Sequence, residues 1–184
     1  MTLLAHTVVV GGATAADEKK TKVIEAAYNC LQAAVRLLKP GNFNHMVTHA
    51  MQNVCNHYEV NAVEGVLSHE IKRHLIDGNN VIINKETSDQ RVAEVEFQVN
   101  QIYVLDCIVS SGEGKPKDAG QRRTVFKRSL DSNFDLKTRN ARTFFTQLNK
   151  RFPSLAFSLR AFDDEIVSGL LRILWALCDY FIID

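Results

Sequence analysis

The sequence has little net charge and few residues that break secondary structure, and both absences narrow what the protein can be. Its 184 residues include 22 basic and 21 acidic side chains, a formal net charge of +1, so any affinity for nucleic acid must come from a local patch. Three prolines and nine glycines exclude a collagen-like or low-complexity chain. Hydrophobic residues make up 46% and charged residues 23%, which is typical of a folded protein and excludes global disorder.

The sequence also lacks paired cysteines. Its four cysteines are Cys30, Cys55, Cys107 and Cys178, and none belongs to a C-x-x-C motif. This spacing argues against a zinc cluster or a secreted disulfide framework, and it predicts reduced thiols in the core. No basic segment followed by a long apolar run opens the chain, so we expect no signal peptide and an intracellular protein.

One apolar stretch, residues 166–184, raises the question of a membrane anchor. Fourteen of its 19 positions are apolar, but Arg172 and Asp179 interrupt it. A transmembrane helix needs about 20 apolar residues, and a central charge costs about 2.5–3.5 kcal/mol. We therefore expect no membrane span. The interpretations left open are a helix that packs on a sheet and the product of a truncated or misread coding sequence.

Hydrophobic periodicity predicts a mixture of helices and strands. A 3.6-residue period predicts helices that begin at Asp17, Asn44 and Lys137, the first of them ending at Pro40. Val23, Ala27, Cys30, Leu31, Ala34, Leu37 and Leu38 are the expected core face of the first helix. The expected strands are 3–10, 81–83, 93–97, 102–109, 124–127 and 154–162, with 102–109 as a central strand. We find no linker and no repeat, and we predict one α+β domain or part of one.

Positive charge is concentrated in one block. Residues 113–151 hold 11 basic and four acidic side chains, a net charge of +7. A strand, turn and helix that carry such a block could face phosphates. A solvated surface without a ligand explains the same block equally well, and the sequence alone does not separate the two.

Three short patterns could carry chemistry. His45 and His49 lie one helical turn apart, but Met46 stands where a zinc protease has glutamate, so we predict a polar helix face. The segment 111–115 (SGEGK) fails the spacing of a phosphate-binding loop, and we interpret it as a turn. We expect Asp106 to be a buried carboxylate in its strand. His69 and Asp106 together provide only two possible ligands, too few to hold a metal ion, so we favour a structural role for His69.

Several segments together resemble the family of proliferation-associated proteins, or Erb-receptor-binding proteins. They are 5–10 (AHTVVV), 37–42 (LLKPGN), 64–69 (EGVLSH), 74–78 (HLIDG), 109–115 (VSSGEGK), 117–122 (KDAGQR) and 159–162 (LRAF). The resemblance covers about residues 1–165. It implies an α+β fold, part of the pita-bread fold of type-2 methionine aminopeptidases, with an antiparallel-rich sheet and helices on one face.

The resemblance also implies where the aminopeptidase's five metal ligands fall. The second Asp falls on Leu3, the His on His69 and the first Glu on Asp106, while the first Asp and the last Glu fall outside the sequence. The substrate-contacting histidine falls on Asp77. One imidazole and one shortened carboxylate do not hold a dinuclear metal centre, so we expect a pseudo-enzyme without metal or cofactor.

Binding is the function that the resemblance implies instead. Family members associate with ribosomes, structured RNA and regulatory proteins in cytoplasm, nucleus and nucleolus, and they are linked to growth control and transcription. The expected phosphate contacts are Lys115, Lys117, Arg122, Arg123, Lys127 and Arg128. The alternatives are a metal-dependent methionine aminopeptidase and a truncated fragment without function.

The resemblance ends after Glu165. We therefore expect a partial aminopeptidase-like domain over residues 1–165, followed by a divergent apolar tail over 166–184. The resemblance implies that the sequence begins inside the first half of the family's fold and stops before the second half closes. Unpaired strand edges and an apolar tail predict poor solubility or aggregation of the isolated chain.

Overall fold

A computed structural model describes residues 4–11, 17–118, 120, 124–128, 136–162 and the backbone of 178–179. The elements in chain order are α1 (Glu18–Leu37), α2 (Asn44–His57), β1 (Asn61–Ala62), β2 (Leu67–Ile71), β3 (Val81–Ile83), β4 (Ile102–Val104), β5 (Val109–Ser110), β6 (Val125–Arg128), α3 (Arg139–Arg151), β7 (Phe157–Ser158), a 3₁₀ turn (Leu159–Ala161) and β8 (Cys178–Asp179). The chain divides into two compact units. The first comprises residues 1–73 and 77–117, and the second comprises 74–76 and 118–184.

The two long helices of the first unit form as the sequence predicts. Asp17 caps α1, since its carboxylate accepts a hydrogen bond of 2.8 Å from the backbone N–H of Lys20. The buried face of α1 consists of Ala26, Cys30 and Ala34, so the predicted core face is slightly rotated. Ala27 and Leu31 are only half-buried. The small side chains of Ala26, Cys30 and Ala34 let α1 lie close against α2.

The strands of the first unit form two antiparallel sheets. One sheet has the order β3-β2-β4 and the other pairs β1 with β5. In the first, His69 of β2 lies opposite Val81 on one side and Val104 on the other. Helix α2 packs on β1 and β3, and α1 packs on α2 and β5. The shared core contains Val47, Met51, Ala62, Ile82 and Phe97, among others.

Three strand predictions are wrong in the first unit. Residues 4–10 of the predicted first strand form no strand, and Val10 is 91% exposed. The alternating segment 93–97 forms only an isolated bridge between Glu96 and Phe43. The predicted central strand 102–109 is interrupted at 105–108 and yields β4 and β5, while β2, which was not predicted, is the central strand.

The second unit packs helix α3 against an antiparallel sheet of order β7-β6-β8. Its core is aromatic, because α3 turns Ala141, Phe144 and Leu148 toward Phe126 and Phe157. The predicted strands 124–127 and helix 137–150 are confirmed as β6 and α3. Of the predicted strand 154–162, only Phe157–Ser158 is a strand, and a 3₁₀ turn follows it.

Two further expectations meet the structure here. Cys30 and Cys55 are buried free thiols and Cys107 is a half-buried one, which agrees with the prediction for these three cysteines, while the side chain of Cys178 lies outside the described residues. Within the stretches that the structure describes, no helix combines the length and apolar character needed to cross a bilayer. The tail 166–184 lies almost entirely outside the described residues.

Candidate nucleic-acid interface

His69, which the resemblance assigns to a metal-ligand position of the aminopeptidases, lies on strand β2. His69 is half-buried, and its Nδ1 atom is buried without a hydrogen-bond partner among the described residues. Its neighbours Ser68 and Glu70 lie on the opposite, buried face of the strand, as the two-residue period of a strand dictates. The histidine is therefore held by strand pairing at its backbone.

Asp106 is exposed, and the expectation of a buried carboxylate in a central strand was wrong. Strand β4 ends at Val104, so the chain leaves the sheet two residues before Asp106 and the carboxylate is solvated. The Ser68 hydroxyl accepts a hydrogen bond of 2.8 Å from the backbone N–H of Asp106. The sheet thus brings the backbones of Asp106 and β2 together. The buried carboxylate of this sheet is Glu70, at 4% exposure.

Asp77 is half-buried and lies in the loop between β2 and β3, which folds back against β2. The N–H of the next residue, Gly78, donates a hydrogen bond of 2.8 Å to the carbonyl of Glu70. A side chain at position 78 would collide with that same carbonyl, so glycine is required for this close approach. The loop therefore places Asp77 near the β2 strand that carries His69.

The donor set at these positions does not fit a dinuclear metal centre. Protein metal sites that activate water use three or more protein ligands. Among the described residues, no group of three or more His, Cys, Asp or Glu side chains is arranged to hold a metal ion. Leu3, the remaining position, has no donor atom in its side chain and lies outside the described residues.

The expected phosphate contacts differ in how much surface they present. Lys115 and Lys117 are exposed in an irregular segment after β5, whereas Arg122 and Arg123 lie outside the described residues. Lys127, on β6, is 6% exposed. Burial to this extent leaves its ammonium little room to meet a phosphate.

Arg128, also on β6, is half-buried and engaged by an aromatic ring. Its guanidinium carbon lies 5.1 Å from the centre of the Phe145 ring, a cation–π contact with a neighbour on α3. Stacking of this kind holds the planar guanidinium against α3, and it reduces the part of Arg128 that a phosphate could reach.

The sequence prediction gave little weight to the outer face of α3, which is exposed and basic. Opposite the buried Ala141, Phe144 and Leu148, a set of exposed residues follows the helix: Arg139, Arg142, Thr143, Thr146 and Lys150. We call this set the α3 basic face. Residues 136–162 contain six basic and no acidic side chains, so nothing within this segment neutralises the face.

Local hydrogen bonds fix the geometry of the α3 basic face. The Thr138 hydroxyl accepts a hydrogen bond from the N–H of Ala141, which caps the helix start. Arg142 Nε donates to the carbonyl of Leu136 at 2.8 Å, so this side chain folds back over the helix start. Arg139 and Lys150 are 11 residues apart, about 16 Å along a helix. The helical spacing of Ala141, Phe144 and Leu148 predicts the buried side of α3, and the exposed basic face follows from it as the opposite side.

Comparison with known proteins gives several relatives, although no protein-family model matches the chain. The chain is 39% identical over 165 residues to proliferation-associated protein A of Dictyostelium discoideum, covering 88% of this chain and 43% of that protein. It is 38% identical over 144 residues to ERBB-3 binding protein 1 of Solanum tuberosum, covering 78% and 37%. It is 33% identical over 154 residues to the curved DNA-binding protein of Schizosaccharomyces pombe, covering 80% and 40%.

Among solved structures, the fold matches one described as a thermophilic Arx1. The TM-score is 0.74 at 21% identity, and the match covers 85% of this chain and 47% of that chain. At this identity the likeness shows the fold alone, which is part of the aminopeptidase-like pita-bread fold and α+β as predicted. The chain spans less than half the length of the curated relatives described above.

Proposed function

This chain is a homologue of the proliferation-associated proteins over the stretch that it spans, and we propose that it is a non-catalytic, aminopeptidase-like scaffold that binds structured RNA. We propose that this RNA is part of the ribosome and that regulatory proteins are further partners. We also propose that the protein acts in growth control and occurs in the cytoplasm, nucleus and nucleolus. The relative from Solanum tuberosum is named for binding ERBB-3, which supports a role in protein binding.

The α3 basic face is the observation that carries the RNA proposal. Its three cationic side chains lie on one side of a regular helix, and no acid lies within residues 136–162. The hydroxyls of its two threonines donate to backbone carbonyls of the same helix, so the cations alone carry the proposed contact. Exposed cations bind phosphate backbones in this way. The name of the Schizosaccharomyces pombe relative, a curved DNA-binding protein, supports a nucleic-acid ligand. Lys115 and Lys117, both exposed, remain proposed additional contacts.

The proposal that the protein is a pseudo-enzyme rests on side-chain chemistry. Leu3 provides no ligand atom where the resemblance requires a carboxylate, and Asp106 is one methylene shorter than the glutamate it replaces. His69 and Asp106 are two donors, which is fewer than a hydrolytic metal centre uses. No step of a peptidase reaction is therefore assigned to these residues.

The test of the RNA proposal is a double charge reversal, Arg139→Glu with Lys150→Glu. Both residues are exposed, and they lie at opposite ends of α3, so their effects on the helix dipole oppose each other. Binding of a structured RNA is measured by fluorescence anisotropy at several salt concentrations. The slope of log K against log salt depends on the number of phosphates contacted, and losing two contacts reduces its magnitude by about 1.4 to 1.8.

A matched control places the same change of charge elsewhere. Arg36 and Lys39 are exposed at the end of α1, and the double variant Arg36→Glu with Lys39→Glu should keep most of the slope. An equal decrease of this slope in both double variants would indicate that RNA responds to the overall charge of the protein and not to the α3 basic face. An unchanged slope in the α3 variant would refute the assignment. A DNA duplex of the same sequence serves as competitor, and preference for DNA over RNA would refute the ligand class.

A further inference from the structure

Two thiols meet in the core where α1 crosses α2. Cys30 is 1% exposed and Cys55 is 0% exposed, and their Sγ atoms are 3.8 Å apart. The Sγ of Cys30 also lies 3.5 Å from the backbone carbonyl oxygen of Met51, which is a second acceptor within reach of the single S–H proton of Cys30. Neither thiol takes part in the RNA-binding function proposed above.

The helix packing explains why the sulfur atoms touch. Ala26 and Ala34 lie one turn on either side of Cys30 and are fully buried, so small side chains hold α1 close to α2. A disulfide has an S–S distance of about 2.05 Å, so the two sulfur atoms need to approach by roughly 1.8 Å. The two sulfur atoms already lie in van der Waals contact.

Hydrogen bonding makes the two thiols chemically different. Cys55 accepts a hydrogen bond from the Cys30 thiol, which lowers the pKa of Cys55. Cys30 gives up that hydrogen bond if it ionises, and burial adds to the effect, so the pKa of Cys30 is raised. Cys55 is therefore the first of the pair to become a thiolate, the form that reacts with oxidants.

We propose that Cys30 and Cys55 are a latent disulfide, which a peroxide closes in the native protein and which then links α1 covalently to α2. In the first step the Cys55 thiolate attacks a peroxide oxygen, the O–O bond breaks, and Cys55 becomes a sulfenic acid while hydroxide leaves and is protonated to water. In the second step Cys30 sulfur attacks the Cys55 sulfur, and the hydroxyl group leaves as water with the Cys30 proton. Two thiols and one hydrogen peroxide yield one disulfide and two waters.

Cys107 is the natural internal control. Its Sγ lies 3.5 Å from the Sδ of Met51, so it belongs to the same group of sulfur atoms, but it is only half-buried. Burial raises the pKa of Cys107 to about 11, and the neighbouring Asp106 carboxylate adds to this. Cys107 therefore stays protonated at neutral pH and reacts slowly with peroxide, although peroxide reaches it more easily.

The experiment oxidises the full native chain with one equivalent of hydrogen peroxide at neutral pH. Remaining thiols are alkylated after denaturation, and the peptides are identified by mass spectrometry before and after reduction with dithiothreitol. We expect the thiol count to fall from the four of the sequence to two, with one linked peptide pair containing Cys30 and Cys55. The Cys107→Ala variant should form the same pair, and Cys30→Ala and Cys55→Ala should form none.

Unfolding by urea gives a second measurement. The linked residues enclose a loop of 24 residues, so the oxidised protein should unfold at higher urea than the reduced protein, and dithiothreitol should reverse the shift. If a cysteine variant does not fold, the peptide pair and the urea shift of the wild-type chain decide whether the disulfide forms. Recovery of alkylated Cys30 and Cys55 after oxidation would overturn the proposal. So would a linked pair that involves Cys107 or a second chain.

Discussion

The amide of Asn44 joins three parts of the first unit, and its removal should destabilise that unit strongly. Asn44 is 2% exposed at the start of α2. Its Nδ2 donates to the carbonyls of Val81 at 2.9 Å and Ala93 at 2.8 Å. Its Oδ1 accepts from the N–H groups of His45 at 2.9 Å and Val95 at 3.1 Å. All four hydrogen bonds that an amide side chain can make are therefore present.

The expected magnitude follows from these four contacts. A hydrogen bond contributes about 1 kcal/mol to the free energy of unfolding, so the Asn44→Ala variant would lose about 4 kcal/mol if nothing replaced them. Ala93 is exposed, and water can reach its carbonyl in the variant, which offsets about 1 kcal/mol. We therefore expect a loss of about 3 kcal/mol, a large part of the 5–15 kcal/mol that is typical of a domain.

Urea unfolding measures the loss, and hydrogen exchange locates it. The Val95 N–H should exchange faster in Asn44→Ala, because its acceptor is removed. Asn44→Asp keeps an acceptor and loses both donors, so it should protect Val95 while still unfolding at lower urea. Asn53, exposed on the same helix, provides the matched control, and Asn53→Ala should change stability by less than about 0.5 kcal/mol.

Equal stability of the Asn44→Ala and Asn53→Ala variants would refute this reasoning. It would mean that water replaces the amide at no cost, and that Asn44 does not join α2 to β3 and to residues 93–95. Loss of stability with unchanged exchange at Val95 would place the effect elsewhere in the unit.

Two further predictions concern a glycine and a thiol. Gly114 has a φ of +74°, and a Cβ there would collide with the carbonyl of Ala62, so Gly114→Ala should lower the free energy of unfolding by about 2 kcal/mol. Gly112→Ala, whose Cβ meets nothing closer than 3.6 Å, should change it little in the same denaturation assay, and equal losses would contradict the steric argument. Burial raises the pKa of the Cys107 thiol in the folded protein to about 11 from the ordinary value of 9.0, so the unfolded state binds fewer protons between these pH values. Its contribution to stability is complete below pH 9 and is lost as the pH rises toward 11, and Cys107→Ala should flatten this alkaline decline in urea midpoints.

The sequence determined the three helices, because the signals that form a helix are local. Asp17 caps α1 through its own first turn, and Thr138 does the same for α3. The spacing of Ala141, Phe144 and Leu148 fixed which side of α3 is buried, and therefore which side is basic. The positive block in residues 113–151 was likewise readable from the chain alone.

Tertiary structure decided the sheets, because strand pairing depends on residues far apart in the sequence. Asn61 of β1 lies opposite Ser110, 49 residues later, and no local pattern contains that information. Pairing on both sides made β2 the central strand, while residues 4–10 pair with no other strand among the described residues. The alternation of 93–97 was overridden by hydrogen bonds to the start of α2.

The same distinction applies to the candidate site. The sequence identified a basic block, but only packing showed that Lys127 is buried, that Arg128 stacks on Phe145, and that the outer face of α3 is open. The charge of a residue is set by its own chemistry, and its access to a ligand is set by what the rest of the chain places over it. For that reason the sequence located the positive charge, and the tertiary structure decided which of those side chains are exposed.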